Sequence, residues 1–480
     1  MAQLKSLAKD TAVYGLSSIV GRFLNYLLVP LYTSRLAAAD GGYGIVTNVY
    51  SYVALLLVLL TFGMETAFFR FASREGANAA RVYGTALAAV GTVGAVFVFG
   101  VIMALGPISD ALGYADHPEY LLTMAVCVAL DAFQCIPFAY LRLRRKAVKF
   151  AALKLLFIVL NIALNLAYFL VLDGRDVFYV FAINLASTAV VTLFFRKELC
   201  EAGRPDRLLL KKMLSYAWPI LILGVAGILN QTFDKIAYPL LVPGREGRVA
   251  LGIYGAGVKV AMIMAMITQA FRYAYEPFVF ASAREDNRSV YAAAMKYFVA
   301  FTLLAFLAVA GWIDVLKYII APDYWEGLRA VPVVMVAEIM MGVYFNLSFW
   351  YKLTDRTIWG AWLSGAGCLV LISVNVFGIP RFGYMACAWA GVAGYGTAMT
   401  LSYFAGRRYY LIAYPLRQIG VYAVLAAAFF ALMQFWGERT GVALRLALNT
   451  GLILLFAAHI VYHDFPLSRL PKVGKYFPKR

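Results

Sequence analysis

The sequence predicts an all-α polytopic membrane protein with about 14 transmembrane helices. Three observations predict this class. Hydrophobic residues make up 63% of the 480, charged residues make up only 14%, and apolar windows long enough to cross a bilayer recur along the whole chain. Soluble domains have about 25% charged residues, so the composition excludes a soluble enzyme or nucleic-acid-binding protein. Aromatic residues reach 15%, which excludes a disordered chain.

The candidate spans are windows of about 20 apolar residues, separated by short gaps. They lie at roughly 11–32, 43–63, 83–106, 119–140, 151–172, 177–195, 214–241, 250–280, 292–312, 329–350, 358–379, 382–405, 417–436 and 442–462. The longest gap, 196–213, is basic and has no room for an extramembrane domain. The first window contains Arg22 in its middle, and no small-residue cleavage site follows a short apolar core. We therefore interpret this window as a span rather than a cleaved signal peptide.

The distribution of Lys and Arg predicts the orientation. Loops on the side of the N-terminus hold 29 of these residues, and loops on the opposite side hold 8. Because cytoplasmic loops of membrane proteins accumulate Lys and Arg, we expect both termini in the cytoplasm. The same asymmetry accounts for much of the net charge of +18, so we expect no nucleic-acid partner.

Cysteine and histidine usage gives no sign of a metal or catalytic centre. The five cysteines form no Cys-x-x-Cys pair, and the three histidines are not accompanied by a cluster of partner residues. We therefore expect no metal site, no resident cofactor and no enzymatic activity.

Matching residues at a constant offset of 211 positions predict an internal duplication. The matches are Tyr43-Gly44 with Tyr254-Gly255, Glu65 with Glu276, Tyr140 with Tyr351, Arg145 with Arg356, and Arg196-Lys197 with Arg407-Arg408. Six spans are an even number, so both halves would enter the membrane from the same side, as a parallel repeat. We predict an N-terminal lobe at 1–205, a C-terminal lobe at 206–415, and two further helices with a basic cytoplasmic tail at 416–480. The alternative is that two helical halves merely share loop charges.

Charged residues inside the predicted spans mark candidate functional positions. Arg22 lies about eleven residues into the first span, roughly 16 Å along the helix axis. Arg272 lies nearly as deep from the cytoplasmic end of the eighth span. A charge at this depth costs roughly 2.5–3.5 kcal/mol on insertion scales, and such groups normally face a bundle interior or water.

Polar side chains on the same helix faces extend these positions into stripes, which predict an inward-facing hydrophilic cavity. The residues we expect to line it and to contact a substrate are Arg22, Asn25, Lys259, Gln269 and Arg272. The acids we expect to couple ions or to gate the cavity are Glu65, Asp131, Asp234, Glu276 and Glu338. The alternative is that these charged residues have a structural role. Arg272 can form an ion pair with Glu276 one turn away, and an ion pair at the helix ends can hold two helices together.

Several strings resemble the polysaccharide biosynthesis, or oligosaccharide (Wzx-type) flippase, family of the multidrug/oligosaccharidyl-lipid/polysaccharide exporter superfamily. Residues 10–73 contain YGLSSIVGRFLNYLLVPLYT and FGMETAFFRFAS, and the eighth span contains IYGAGVKVAMIMAMITQAFRYAYEPFVF. The segments Ala321–Gly327 and Arg381–Gly396 also resemble it. The resemblance covers nearly the whole chain and implies two six-helix lobes around a central cavity, with two further helices.

The resemblance implies the activity of a flippase. Its substrate would be a polyprenyl-diphosphate-linked oligosaccharide, carried by alternating access from the cytoplasmic to the outer leaflet of the bacterial inner membrane for O-antigen, capsule or exopolysaccharide assembly. Related lipid II flippases carry cavity-facing arginines on their first and eighth helices, and Arg22 and Arg272 match those helix positions. The implied partners are the lipid-linked oligosaccharide, membrane lipids, and a polysaccharide polymerase with other export machinery. We expect a monomer that uses H⁺ or Na⁺ as its coupling ion.

Three other functions remain open at this stage, of which one, a scaffold for an envelope synthesis complex, would not need buried arginines. A multidrug or cation exporter of the same superfamily would favour an acidic cavity, whereas this chain has as many deep bases as acids. A membrane enzyme acting on lipid-linked sugars would need a larger external loop than any in this sequence.

Overall fold

The computed structural model describes residues 26–74, 78–281, 288–354, 356–437 and 439–464. Throughout these ranges the regular structure is helical, and no β-strand occurs in them. The prediction of an all-α chain is therefore confirmed. Long apolar segments form helices because, in lipid, a helix satisfies every backbone N–H and C=O within its own segment.

Ten α-helices lie in the described residues up to residue 241. They are α1 (Leu28–Arg35), α2 (Gly42–Thr61), α3 (Met64–Ala72), α4 (Ala79–Met103), α5 (Leu105–Ala111), α6 (Pro118–Leu143), α7 (Ala147–Leu166), α8 (Phe178–Leu193), α9 (Arg196–Cys200) and α10 (Arg207–Leu241). A short π-helix, Ala167–Val171, extends α7, and a 3₁₀ turn, Ala38–Asp40, precedes α2. The start of α10 is fixed by Asp206, whose carboxylate accepts hydrogen bonds from the backbone N–H groups of Leu208 and Leu209.

Nine more α-helices lie in the described ranges after residue 241. They are α11 (Arg245–Ala281), α12 (Arg288–Gly311), α13 (Ile313–Leu316), α14 (Val331–Leu347), α15 (Phe349–Leu353), α16 (Ile358–Phe382), α17 (Tyr384–Tyr409), α18 (Leu416–Gly437) and α19 (Val442–Asp464). Two 3₁₀ segments, Lys317–Ile319 and Pro322–Ala330, connect α13 to α14.

Within the described ranges, eleven helical segments are long and apolar enough to cross a membrane. Two more helices correspond to predicted spans but are not among the eleven. Helix α8 has 16 residues, or about 24 Å, somewhat short of a 30 Å hydrocarbon core. Helix α17 has 26 residues, but its glycines, tyrosines and two arginines lower its mean hydropathy. The first predicted span, 11–32, lies largely outside the described residues. A multi-pass membrane protein is established, whereas the number fourteen stays a prediction.

The chain forms two compact units. The first comprises Met1–Ala256 with Ile372–Cys387, and the second comprises Gly257–Leu371 with Ala388–Arg480. The predicted duplication and the predicted lobe boundaries at residues 205 and 415 stay predictions.

The first unit is built around a core between α2, α3, α4, α6 and α10. Phe68, Tyr83 and Tyr140 are completely buried there, and the rings of Tyr83 and Tyr140 stack with centroids 4.2 Å apart. Glycine allows a close approach of two helices in this unit. A Cβ at Gly44 of α2 would lie only 1.9 Å from the carbonyl oxygen of Arg248 on α11. Small residues thus let the backbones of membrane helices meet.

In the second unit, hydrogen bonds and an ion pair connect α18 and α19 to α12. The amide of Asn449 on α19 donates to the carbonyl of Gly311 on α12 at 2.9 Å and accepts from the indole N–H of Trp436 on α18 at 2.9 Å. At the other end of α19, the ammonium of Lys296 lies 2.8 Å from the carboxylate of Asp464, which also accepts a 2.6 Å hydrogen bond from Tyr422. The three helices are therefore joined by polar contacts at both ends.

Candidate functional site

Three of the predicted site residues cannot be placed. Arg22 and Asn25 lie outside the described residues, and so does the side chain of Glu276. Their roles stay predictions. The other seven lie in described helices of one unit or the other.

Arg272 lies on α11, in the second unit, and is partly buried. Its guanidinium carbon lies 4.4 Å from the ring centroid of Phe345 on α14, which is a cation–π contact. Gln269, one turn earlier on the same helix, is also partly buried. Lys259 precedes Arg272 by thirteen residues, or about 20 Å along the helix axis, so these two cations lie at different depths.

Phe345 also receives a second cation, which the sequence analysis missed. The ammonium of Lys352, on α15, lies 4.6 Å from the Phe345 centroid and 5.1 Å from the Phe349 centroid. The sequence analysis counted Lys352 among the topology-determining loop charges. Its spacing of three and seven residues from Phe349 and Phe345 was the available signal, because these positions share one helix face.

Asp131 lies in a buried polar cluster of the first unit, formed by α2, α6 and α8. One carboxylate oxygen accepts a 3.1 Å hydrogen bond from the hydroxyl of Thr188. One turn earlier on α6, the thiol of Cys127 donates to the amide oxygen of Asn184 at 3.2 Å, and the Asn184 amide nitrogen donates to the hydroxyl of Tyr50 at 2.7 Å.

The ammonium of Lys154, on α7, supplies a compensating charge for Asp131. It lies 4.0 Å from the ring centroid of Phe138 on α6, so α7 is packed with its cation toward α6. Asp131 is thus a partly buried acid with hydroxyl, thiol and ammonium groups nearby.

Asp234 is an ion-paired acid. The ammonium of the adjacent Lys235 lies 2.9 Å from both carboxylate oxygens, and the hydroxyl of Tyr254 donates to one of them at 2.8 Å. The backbone carbonyl of Lys235 accepts a 2.7 Å hydrogen bond from Asn48, whose amide oxygen accepts from Tyr114 at 2.8 Å. This network joins α2, α10 and α11 within the first unit, which is the geometry of a structural ion pair.

The remaining acids are at helix ends or partly buried. Glu65 at the start of α3 forms a salt bridge with Arg142 near the end of α6, and the Arg142 guanidinium lies 4.9 Å from the Phe69 ring. Glu338 is partly buried in α14 of the second unit. The Glu65–Arg142 pair matches the structural alternative of the sequence analysis, since it ties two helices together.

A second ionic cluster connects α6, α7 and α9, and its partners lie too far apart in sequence to be predicted. The side chain of Glu198 is only 1% exposed, and its carboxylate lies 2.6 Å from the ammonium of Lys149 and 3.7 Å from that of Lys146. Glu201 accepts a 2.6 Å hydrogen bond from Tyr140, which lowers the pKa of the Glu201 carboxyl. Three nearby cations, Lys146, Arg144 and Lys149, lower this pKa further.

An open depression of about 550 Å³ is lined by three members of this cluster, Arg144, Lys146 and Glu201. Among the described residues, no group of three His, Cys, Asp or Glu side chains could hold a metal ion. The arrangement therefore offers paired charges and two cation–aromatic contacts on Phe345, rather than a set of metal ligands.

Comparison with known structures identifies the fold. This chain resembles the lipid II flippase MurJ in an inward closed conformation, with a TM-score of 0.74 and 11% identity. The likeness covers 95% of this chain and 99% of the MurJ chain. It also resembles a multidrug resistance MATE family transporter of the MOP superfamily in an inward-facing conformation. That likeness covers 80% of this chain and 93% of the other, with a TM-score of 0.58 and 17% identity.

Sequence comparison adds the family. A protein of the Lsg locus of Haemophilus influenzae is 21% identical over 329 residues, which cover 66% of this chain and 77% of that protein. The family model described as "Polysaccharide biosynthesis protein" matches residues 7–275, more than half of the chain. The resemblance noted from the sequence strings is thereby confirmed: this chain belongs to the polysaccharide biosynthesis protein family.

Proposed function

We propose that this protein is a flippase that moves a polyprenyl-diphosphate-linked oligosaccharide from the cytoplasmic to the outer leaflet of the bacterial inner membrane. The observation that carries the proposal is the fold. It matches a lipid II flippase over nearly its whole length with a TM-score of 0.74, against 0.58 for a multidrug transporter. Membership of a polysaccharide biosynthesis family supports a glycan cargo.

The charged residues of the chain suit the physical requirements of carrying such a substrate across the membrane. A diphosphate cannot cross hydrocarbon unaided, because moving a charged group out of water is prohibitively costly. Arg272 is partly buried on a membrane-spanning helix, and its planar guanidinium can donate two hydrogen bonds to phosphate oxygens. In this proposal Arg272 and Arg22 bind the diphosphate, Asn25, Gln269 and Lys259 contact the remaining polar parts, and the polyprenyl tail stays in lipid.

The proposal includes fourteen spans, both termini in the cytoplasm, and alternating access as the transport cycle. The glycan would serve O-antigen, capsule or exopolysaccharide assembly, together with a polymerase and other export machinery. We propose a monomer as the working unit.

Ion coupling is the second part of the proposal, and Asp131 is its best-supported carrier. Asp234 forms a direct ion pair with Lys235, and Glu65 with Arg142, whereas Asp131 accepts a hydrogen bond from a hydroxyl and has Lys154 as a nearby compensating charge. Loss or gain of one proton, or of Na⁺, at Asp131 would change the charge balance with Lys154. We expect Asp131→Asn to make transport insensitive to the pH or Na⁺ gradient while Asp234→Asn impairs folding. Transport by Asp131→Asn that responds to both gradients like the wild type would contradict this assignment.

Surface glycan export in cells tests the arginines. At equal protein levels in the membrane, Arg272→Ala and Arg22→Ala should each reduce export at least tenfold, since a charge-assisted hydrogen bond contributes roughly 1.5–3 kcal/mol. Arg381→Ala, which removes an exposed arginine from the end of α16, is the matched control and should export normally. Full export by both cavity variants would refute the proposal.

A cation or multidrug exporter is the second candidate, and the MATE-like fold favours it. An exporter of this kind should expel a cationic dye. Asp131→Asn should abolish this efflux, and Arg272→Ala should leave its rate unchanged. Dye efflux with that pattern, and without glycan export, would establish the exporter in place of the flippase.

A further inference from the structure

The open depression of about 550 Å³ in the first unit lies at the ends of three helices. Of its lining residues, Arg144 follows the last residue of α6, Lys146 precedes the first residue of α7, and Glu201 follows the last residue of α9. Both α6 and α7 are long and apolar enough to cross a membrane, so the turn between them lies at a membrane surface. The depression is therefore at the level of the lipid headgroups.

The cations at this depression outnumber the acids. Glu201 is shared by Arg144 at 3.5 Å and Lys146 at 3.9 Å. The close partner of Glu198 is Lys149 at 2.6 Å, which leaves Lys146 with longer contacts of 3.7 and 3.9 Å. Within the described part of the chain, no further acid forms an ion pair with these three cations. Two carboxylates thus face three cations, and one positive charge remains in excess.

A fourth cation, Arg145, stands between two of these residues in an unusual backbone conformation. Helix α6 ends in a Schellman motif, because the N–H of Lys146 donates to the carbonyl of Leu141 at 2.9 Å. The N–H of Arg145 donates to the carbonyl of Arg142 at 3.0 Å. Arg145 takes the left-handed position of the motif, with φ 53°, which glycine usually occupies. Its exposed guanidinium has no ion-pair partner among the described residues, so a further charge is free here.

An exposed apolar stripe on α7 begins beside the depression. Val148 comes two residues after Lys146 and is 81% exposed, and Leu155 and Val159 are exposed as well. Their spacings of seven and four residues place them on one face of α7. On a membrane-spanning helix, an exposed apolar face contacts acyl chains. Basic groups at the end of such a face form an arrangement that suits an amphiphile with an anionic head.

We infer that this depression binds the headgroup of an anionic phospholipid, with its phosphate on Arg144, Arg145 and Lys146 and an acyl chain along the Val148 face of α7. The phosphate supplies the negative charge that the two acids of the cluster do not. A guanidinium can donate two hydrogen bonds to phosphate oxygens, so adjacent arginines suit this headgroup. Free phosphate or an acidic peptide would use the cations but would leave the apolar face unused. The inference does not depend on the proposed function.

The test uses the full chain, delipidated in detergent. Binding of dioleoylphosphatidylglycerol is measured by native mass spectrometry and by the rise in the thermal unfolding midpoint. Dioleoylphosphatidylethanolamine, which has the same acyl chains and no net charge, and inorganic phosphate are the comparison probes. Arg145→Gly removes the charge and supplies the residue that the Schellman motif prefers, whereas Arg145→Lys keeps the charge. Arg145→Gln is matched with Arg408→Gln, which removes an exposed arginine from the last turn of α17.

The wild type should bind phosphatidylglycerol at least tenfold more tightly than phosphatidylethanolamine. Arg145→Gly and Arg145→Gln should each lose about tenfold in phosphatidylglycerol affinity, while Arg145→Lys and Arg408→Gln stay within about threefold of the wild type. Without lipid, Arg145→Gly should unfold at the temperature of the wild type or above it, because glycine suits the left-handed backbone. Weaker lipid binding by a variant of equal or higher stability separates recognition from folding. Arg145→Gln gives the same comparison should Arg145→Gly lower the midpoint.

Four results would overturn the inference. Equal affinity of the wild type for the two lipids would show that the negative charge is not recognised. Inorganic phosphate that displaces phosphatidylglycerol at equal concentration would make the depression a site for free phosphate. Equal losses for Arg145→Gln and Arg408→Gln would reduce the effect to general surface charge. Unchanged phosphatidylglycerol binding by Arg145→Gly would remove Arg145 from the site.

Discussion

The ion pair between Lys296 and Asp464 gives a stability prediction whose size follows from the structure. The Lys296 side chain is 14% exposed and the Asp464 side chain 3% exposed, with the charged atoms 2.8 Å apart. Lys296→Met leaves the Asp464 carboxylate buried, with the Tyr422 hydroxyl as its remaining hydrogen-bond donor among the described residues. Breaking a buried pair on one side costs about 3–5 kcal/mol, because the remaining charge is uncompensated. We expect a loss of this size in the free energy of unfolding.

Denaturant titration in mixed micelles, followed by tryptophan fluorescence, measures this loss. A double variant, Lys296→Met with Asp464→Asn, should lose less than Lys296→Met alone, since no charge is then left buried. The exposed pair between Arg245 and Asp40, with side chains 67% and 75% exposed, is the matched control. Arg245→Gln should cost below about 1 kcal/mol. Equal effects of Lys296→Met and Arg245→Gln would refute the reasoning that burial sets the magnitude.

Two further predictions concern the first unit. The Tyr140 hydrogen bond lowers the pKa of Glu201 in the folded protein. The Glu201 carboxylate therefore stabilises the fold above its pKa in the unfolded chain, about 4.3, and this stabilisation is lost as the pH falls through the folded-state pKa. Glu201→Gln should lower the unfolding midpoint only slightly at pH 7, since the side chain is 39% exposed, and by less as the pH falls through the lowered pKa. A shift in the midpoint that does not shrink with falling pH would contradict this. Gly44→Ala should cost about 1–3 kcal/mol, because its Cβ would meet backbone atoms of Arg248, whereas Gly100→Ala, with nothing within 4 Å, should not destabilise. Equal unfolding free energies for these two variants would contradict the close packing.

The sequence predicted the membrane class and most of the helices well, because the cost of exposing backbone in lipid leaves a strong apolar signal. Helices at thirteen of the fourteen predicted windows are described. The apolar signal is weakest for two helices, and each has a physical cause. Helix α8 is short, and glycine and tyrosine residues lower the mean hydropathy of α17. The family resemblance also came from the sequence and is confirmed.

The site was harder to predict because its contacts are tertiary. Depth in the apolar window identified Arg272 as a candidate, but nothing in the window showed that Phe345 would lie under it. Lys352 was treated as a loop charge, although it reaches the same ring. Asp234 was treated as a coupling candidate because an acid deep in a membrane span is costly unless it is used. Its ion pair with Lys235 was not predicted, because adjacent helical residues do not normally face each other, yet the flexible Lys235 side chain folds back onto its neighbour's carboxylate.

Flipping by the purified chain in liposomes tests the central claim most directly. The measurement follows a fluorescent polyprenyl-diphosphate-linked sugar from one leaflet to the other, in vesicles with wild-type protein, with Arg272→Ala, and without protein. We predict fast translocation with the wild type and a rate at least tenfold lower with Arg272→Ala. Wild-type vesicles that flip no faster than protein-free vesicles would contradict the account.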